Sequence, residues 1–474
     1  MTAMEKRFSS RSMKQSYDWR LIGIYLALVF IGLVNIYASI HSSEPSSIFD
    51  LSVRSGMQCI WIATAFGLAA LILFVIPPRV WEGAALPMYL GVLFLLVVVI
   101  FVGVDVKGSR SWFSFGPVRF QPAEISKITT SLLLALIISS QNFKMNRLKN
   151  FMKVALVIAI PMLVIVAEKE TGSALVYTGF IFMLYREGLS GWILAFIGVT
   201  ILMFILTLTA SPYTAIVVLL AIAMLANSLR GREAVRNTLI CAAVVAVLVF
   251  LPSYISKPMY VLIGLVVVAV PVLCYLAYKH KNGFLFFTVI GTVIGIMLSF
   301  STDIIFNKVM QEHQRKRIEV LLGIKDDPAG VGYNVNQSMI AIGSGGFSGK
   351  GYLQGTQTTY GFVPEQSTDF IFCTVGEEWG FLGCLLVISL YIALIWRIIT
   401  DAEKSREHFT RVYGYCVASC LFMHLFINIG MTIGLMPVIG IPLPMMSYGG
   451  SSLWGFTIMI FIFVVLDHQE KKYF

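Results

Sequence analysis

Long apolar runs separated by short polar turns occupy most of the chain. About 20 consecutive apolar residues suffice to cross the hydrocarbon core as a helix, and that rule predicts about fourteen spans here. They fall near residues 20–41, 55–76, 85–105, 121–140, 152–168, 172–186, 190–209, 212–228, 236–255, 258–278, 283–301, 368–397, 411–434 and 447–467. One interval breaks the rhythm. Residues 302–367 are polar and glycine-rich, with Glu312-His-Gln-Arg-Lys-Arg317, Asp326-Asp-Pro-Ala-Gly330 and Gly343-Ser-Gly-Gly346. Irregular backbone cannot face lipid, so this segment is expected in water or lining a cavity. Its length and its hydrophobic anchors mark it as folded and functional.

Composition agrees. The 474 residues are 57% hydrophobic and 13% charged, with a mean hydropathy of +0.82. The expectation is an all-α polytopic membrane protein forming a single integral membrane domain over residues 1–474, with a cytoplasmic N-terminal tail over 1–19. The first run follows Lys6, Arg7, Arg11, Lys14 and Arg20 and lacks a small-residue cleavage site, so it reads as a retained span. The seven cysteines and six histidines show no metal spacing, and the cysteines read as buried free thiols.

The net charge of +10 does not point to nucleic acid. It follows the positive-inside rule. With the N-terminus in the cytoplasm, the even-numbered connections are basic: Lys144 to Lys153, Arg230 to Arg236, Lys279 with Lys281, and Arg397 to Arg411. The same count puts the C-terminus in the cytoplasm. Two outer connections break the rule, one through Lys107, Arg110 and Arg119 and one through Arg315, Lys316 and Arg317. Basic groups on that side fit an anionic ligand or merely solvate a loop.

Four constellations carry chemistry. In the first, Pro122 suits a first helical turn, Glu124 lies in that turn, and Lys127 shares its face. Such a pair inside an apolar helix is either functional or a structural ion pair. In the second, Glu168-Lys-Glu170 interrupts two short apolar runs, as a midplane site or an ordinary tight turn does. In the third, Glu312 and Arg315 share a helical face. Ser367 is a plausible N-cap, and Asp369 at a helix start suits either a cap or a general base. Glu377 and Glu378 follow on the same span. The fourth, Asn428 to Ser452, is broken by prolines and glycines and reads first as a structural re-entrant turn.

At these residues the chain resembles the SEDS family of bacterial envelope proteins (shape, elongation, division and sporulation), the RodA branch more than the FtsW branch. The resemblance rests on Gly108-Ser-Arg-Ser-Trp112, Phe120-Gln-Pro-Ala-Glu-Ile-Ser-Lys127, Gln314-Arg-Lys-Arg-Ile318, Asp327-Pro-Ala-Gly-Val-Gly-Tyr-Asn334, Gln337-Ser-Met-Ile-Ala-Ile-Gly-Ser-Gly345, Pro364-Glu-Gln-Ser-Thr-Asp-Phe-Ile-Phe372, Glu377-Glu-Trp-Gly-Phe-Leu-Gly383, and Gly440-Ile-Pro-Leu-Pro444 through Ser447-Tyr-Gly-Gly-Ser-Ser452. These pieces occur in family order. Two departures stand out. Lys169 replaces the family's usual proline, which puts any role of that loop in question. About four extra spans, residues 210–300, add to a family core of about ten.

The resemblance implies a peptidoglycan glycosyltransferase of the bacterial cytoplasmic (inner) membrane that polymerises lipid II for elongation and cell shape. The donor would be a glycan on undecaprenyl pyrophosphate, the acceptor the GlcNAc 4-hydroxyl, and the anomeric centre would invert. It implies Asp369 as base, with Lys127 and Glu312 in the same cavity. It implies substrate contacts from Trp112, Arg110, Glu124, Arg315, Glu365, Gln121 and Ser447. It implies a class B penicillin-binding transpeptidase as partner. No cofactor is certain; a divalent cation, Mg²⁺ or Mn²⁺, has a place at the leaving pyrophosphate. The alternatives are a lipid II flippase, a scaffold without catalysis, and a division-type role.

Overall fold

The structure is a computed structural model that describes residues 17–41, 47–106, 108–116, 118–229, 234–304, 306, 308, 310, 312–322, 324, 330 and 332–473. Lys107, Arg230, Arg232, the basic residues ahead of Tyr17, and residues 326–329 lie outside them. The chain divides into two compact units, Met1–Leu189 with Pro328–Phe474, and Ser190–Asp327.

The first unit contains α1 (Trp19–Ile40), α2 (Arg54–Phe74), α3 (Arg79–Val102), strands β1 (Val104–Val106), β2 (Ser109–Phe115) and β3 (Val118–Phe120), then α4 (Pro122–Ile138), α5 (Leu148–Ala167), α6 (Thr171–Val176) and α7 (Phe180–Arg186). The second unit contains α8 (Gly191–Thr209), α9 (Pro212–Ser228), α10 (Ala234–Phe250), α11 (Pro258–Lys279), α12 (Gly283–Ile304) and α13 (Glu312–Leu321). The chain returns to the first unit with α14 (Tyr333–Ser344), α15 (Thr356–Thr359), α16 (Ile371–Lys404), α17 (His408–Thr432) and α18 (Gly450–Tyr473).

Among the described residues, 11 helices are long and apolar enough to cross a membrane. They coincide with eleven of the expected spans. The other three are shorter: α4, α9, and the stretch 171–186, which is broken into α6, a 3-10 turn (Tyr177–Gly179) and α7. The polar interval 302–367 is not loop throughout, because α13, α14 and α15 occupy much of it. The second unit begins at Ser190, one helix ahead of the extra segment expected over 210–300.

Local chemistry sets the helix ends. The Asp18 carboxylate accepts the N–H groups of Arg20 and Leu21 at the start of α1, and Pro122, Pro212 and Pro258 open α4, α9 and α11 where a missing N–H costs nothing. The β-strands form a small antiparallel sheet, with Trp112 opposite Val104 and Phe113 opposite Phe120. Helices α17 and α18 are the packed centre of the first unit. The Tyr25 and Thr457 hydroxyls meet at 2.8 Å, and the Tyr413 hydroxyl donates to the Met459 carbonyl.

Helix α16 is broken at Gly380 (φ 65°, ψ −159°). A break inside a span orphans carbonyls before it and N–H groups after it, and lipid cannot satisfy them. Residues 346–351 do so from both sides. Lys350 and Gly351 donate to the carbonyls of Glu377 and Glu378, while Phe381 and Leu382 donate to those of Gly346 and Phe347. Glycine is required here: a Cβ on Gly380 would sit 2.3 Å from the Gly349 nitrogen, and one on Gly349 2.1 Å from the Glu378 carbonyl oxygen.

In the second unit, neutral polar side chains meet between helices. Thr207 meets Ser299 at 3.0 Å, Asn227 donates to Thr288 at 2.9 Å, and Ser228 meets Thr238 at 3.0 Å. A cavity of about 380 Å³ lies among α9–α12, lined by apolar side chains with Asn227, Asn237 and Thr288.

All seven cysteines are free. Cys373, Cys416 and Cys420 are buried, and the other four are only half-buried, which corrects the expectation of buried thiols throughout.

Candidate active site

Asp369 lies in a tight turn over residues 365–370, two residues before α16 begins at Ile371. It is therefore not in the first helical turn, and Ser367 is not an N-cap. The Ser367 hydroxyl instead accepts from Arg54 at 2.6 Å, and its carbonyl accepts the Tyr448 N–H. Glu365 starts the turn at φ 52° and accepts the Thr368 hydroxyl on its carboxylate. The turn is clamped from four directions. Gln366 donates to the Ser39 carbonyl of α1, Arg54 of α2 holds Ser367, Ser447 donates to the Thr368 carbonyl, and Asn428 of α17 donates to the Asp369 carbonyl. Two clamps act through the side chains of Gln366 and Ser367, and the other two hold the main chain of Thr368 and Asp369. The Asp369 side chain is left half-buried, with its Oδ2 3.4 Å from the position a Cβ on Gly440 would take. Gly440 has φ 77°, so a side chain there would be strained and would crowd the carboxylate.

Glu124 and Lys127, in the first two turns of α4, are 3% and 1% exposed. The Lys127 ammonium donates to Glu124 Oε1 at 2.8 Å and to His424 Nε2 at 2.9 Å. Its third N–H faces the Phe456 ring, whose centroid is 5.2 Å away, and Glu124 Oε2 is buried without a hydrogen-bond partner. The contacts make it a buried ion pair extended to His424. Removing Lys127 would strand a buried carboxylate at a cost of about 3–5 kcal/mol, and Glu124 Oε2 is already an unspent acceptor.

Strand alternation sorts the residues around Trp112. Ser109 and Ser111 point to one face, where both donate to Glu170 Oε2 at 3.0 and 3.1 Å. Arg110, exposed, and Trp112, half-buried, point to the other. Glu170 thus anchors the sheet. Glu168 is 2% exposed, and neither of its carboxylate oxygens has a partner. Burial first and the Glu170 charge second push it up to about 8. Gln121 is buried at the start of α4 without a side-chain cap bond. Ser447 is buried and fully engaged, accepting the Leu443 N–H and donating to Thr368.

Glu377 is also a scaffold. Its carboxylate accepts from the backbone of Thr356, Gln357 and Thr358, from the Thr358 hydroxyl, and from Lys350 at 2.7 Å. It fixes α15 and residues 346–351 against α16.

Glu312 and Arg315 belong to the second unit and do not pair with each other. Exposed Glu312 pairs with Lys316 at 2.9 Å, which holds its carboxyl below the usual range, and Arg315 meets Glu319 at 3.5 Å.

Sequence reasoning missed His424 and Arg54, and it took Asn428 only as the start of a structural re-entrant turn. His424 and Asn428 are polar groups inside an apolar run, the signal that an intramembrane polar residue deserves a role. Arg54 opens α2, and its role appears only once its guanidinium is seen on Ser367. Among the described residues, no group of three or more His, Cys, Asp or Glu could hold a metal.

The model of the cell cycle protein family that joins FtsW, RodA and SpoVE matches residues 18–219 and 213–472. The chain belongs to that family. It is a multi-pass inner-membrane protein. It is 34% identical over 391 residues to the peptidoglycan glycosyltransferase MrdB of Escherichia coli K12, covering 82% of this chain and 79% of that one. It is 30% identical over 440 residues to the peptidoglycan glycosyltransferase RodA of Treponema pallidum, covering 92% and 94%. Its fold matches a chain solved in a peptidoglycan synthase complex that coordinates polymerization and crosslinking, with a TM-score of 0.59 at 22% identity over 96% of this chain and 98% of that one.

Proposed function

We propose that the chain is an elongation-type peptidoglycan glycosyltransferase that polymerises lipid II on the outer side of the membrane. The observation that carries this reading is the Asp369 turn: four clamps fix its position while the carboxylate stays half-exposed beside a glycine. A base needs that combination of fixed position and access. Asp369 takes the proton of the acceptor 4-hydroxyl as its oxygen attacks the anomeric carbon of the donor. The C–O bond to pyrophosphate breaks on the opposite face, and the configuration inverts. Arg54 and Arg110 are the cations for the departing pyrophosphate. Trp112 offers a ring to a sugar or the polyprenyl chain. A divalent cation, Mg²⁺ or Mn²⁺, would add positive charge at the leaving pyrophosphate. The partner is a class B penicillin-binding transpeptidase. The extra helices within α8–α12 brace the core or bind another membrane protein, and do no chemistry.

The test is polymerisation of lipid II by the purified protein, with and without the transpeptidase and Mg²⁺. Asp369→Asn keeps size and hydrogen bonding and removes the base. It is expected to cost about 10²–10⁴ in rate with an unchanged melting temperature. Near wild-type polymerisation by that variant would return Asp369 to a turn-forming role. Wild-type protein that moves lipid II across vesicles without polymerising it would favour a flippase.

A further inference from the structure

His424 is almost fully buried, and the reaction as derived does not use it. It sits four residues before Asn428 in α17, so the two share one helical face. Each makes the same pair of attachments. One goes to the proline-broken segment after α17: His424 Nδ1 lies 3.2 Å from the Pro442 carbonyl, and Asn428 Nδ2 lies 2.7 Å from that of Ile441. The other goes to a functional group: His424 Nε2 lies 2.9 Å from the Lys127 ammonium, and Asn428 Nδ2 lies 2.8 Å from the Asp369 carbonyl oxygen.

The partners fix the state of the ring. A carbonyl only accepts, so Nδ1 carries the hydrogen. An ammonium only donates, so Nε2 offers its lone pair. His424 is a neutral imidazole, a side chain that donates at one end and accepts at the other in one rigid plane. The Phe456 ring stands edge-on to it, with centroids 4.8 Å apart at 87°.

We infer that His424 and Asn428 are positioning residues for glycan transfer: one face of α17 holds the Lys127 charge and the Asp369 main chain in register through Ile441 and Pro442. This rests on the glycosyltransferase reading of Asp369. A packing role needs one anchor at each position, whereas here each side chain joins the same segment to a different functional group.

The test uses full-length protein and four variants. His424→Phe keeps the ring and its packing but removes both nitrogens. His424→Gln keeps an acceptor that reaches Lys127. Asn428→Ala removes the other link, and the fourth variant combines His424→Phe with Asn428→Ala. His424→Phe is expected to lower kcat by about 10²-fold, the scale of a 1 Å misplacement, with KM for lipid II little changed. His424→Gln is expected to recover part of that loss. The double variant is expected to be no worse than the weaker single variant, because residues acting as a unit are non-additive. Hydrogen–deuterium exchange of His424→Phe should quicken at residues 365–370 and 439–444. Near wild-type kcat in His424→Phe would overturn the inference, as would a loss carried by KM alone or full additivity without recovery by Gln. If wild-type protein makes no polymer, the function fails, and exchange decides the coupling alone. Unchanged exchange at 365–370 then overturns it, and faster exchange supports it.

Discussion

The two units solve the same problem, apolar helices in a bilayer, with opposite chemistry. In the first unit, ionisable side chains are drawn into the packed interior: Glu124, Lys127, Glu377, Glu378, Asp401 and His424 are all buried. In the second, charges in α8–α12 sit only near helix ends, at Arg236, Lys279 and Asp303. Helix α17 is 83% buried over its most apolar window, whereas α11 is 6% buried. Helices wrapped by other helices can hold charge because each charge finds partners; helices bathed in lipid cannot. Spans that hold buried charge thus belong to the unit that contains the Asp369 turn, and the buried charge of the second unit, Glu319, lies in α13, outside α8–α12.

The sharpest way to break this contrast is to remove a buried charge. Glu377→Ala strands Lys350 and the N–H groups of residues 356–358, and is expected to destabilise the protein by about 3–5 kcal/mol. Thermal unfolding in detergent reads it out. A melting temperature equal to wild type would mean that Glu377 is not a scaffold and that buried charge is tolerated without its partners.

A subtler effect is expected at Glu168. Its pKa rises from 4.5 to about 8 on folding, so the folded state holds the proton more tightly than the unfolded one. Its contribution to stability is complete below about pH 4.5 and is lost as pH rises through 8. Melting temperature should therefore fall across that window, and Glu168→Gln should flatten the slope. An identical slope in the variant would place the titrating group elsewhere.

The smallest effect is expected in the second unit. Asn227→Ala removes the bond to Thr288, worth about 0.6 kcal/mol between membrane helices, and polymerisation should stay at the wild-type rate. Cysteine labelling sharpens the point: Lys281→Cys should react from the cytoplasm and Ser256→Cys from outside. Labelling of Lys281→Cys from outside would overturn the expected topology.

Much of this was legible in the chain because hydropathy reports span length directly. Motif order likewise pointed to Asp369 and to the Glu124–Lys127 pair. What stayed hidden depends on distant partners. Glu377 reads as one more carboxylate until residues 350 and 356–358 are seen to converge on it. Ser367 looks like a cap because Ser-Thr-Asp precedes an apolar run, but the turn that starts at Glu365 delays the helix to Ile371. His424 gave no periodic signal, since its meaning lies in Lys127, nearly 300 residues earlier in the sequence. The break at Gly380 was masked by apolar residues on both sides.

That break has a consequence for how the protein is made. Residues 346–351, which satisfy the opened backbone of α16, leave the ribosome before residues 376–382 do. The strap is thus already synthesised when the interrupted span reaches the membrane, and the exposed carbonyl and amide groups, each costing several kcal/mol in lipid, can be covered as they arrive. A permuted chain that delivered α16 first would present those groups to hydrocarbon with nothing to meet them, so the order of the segments along the gene is itself part of the insertion pathway.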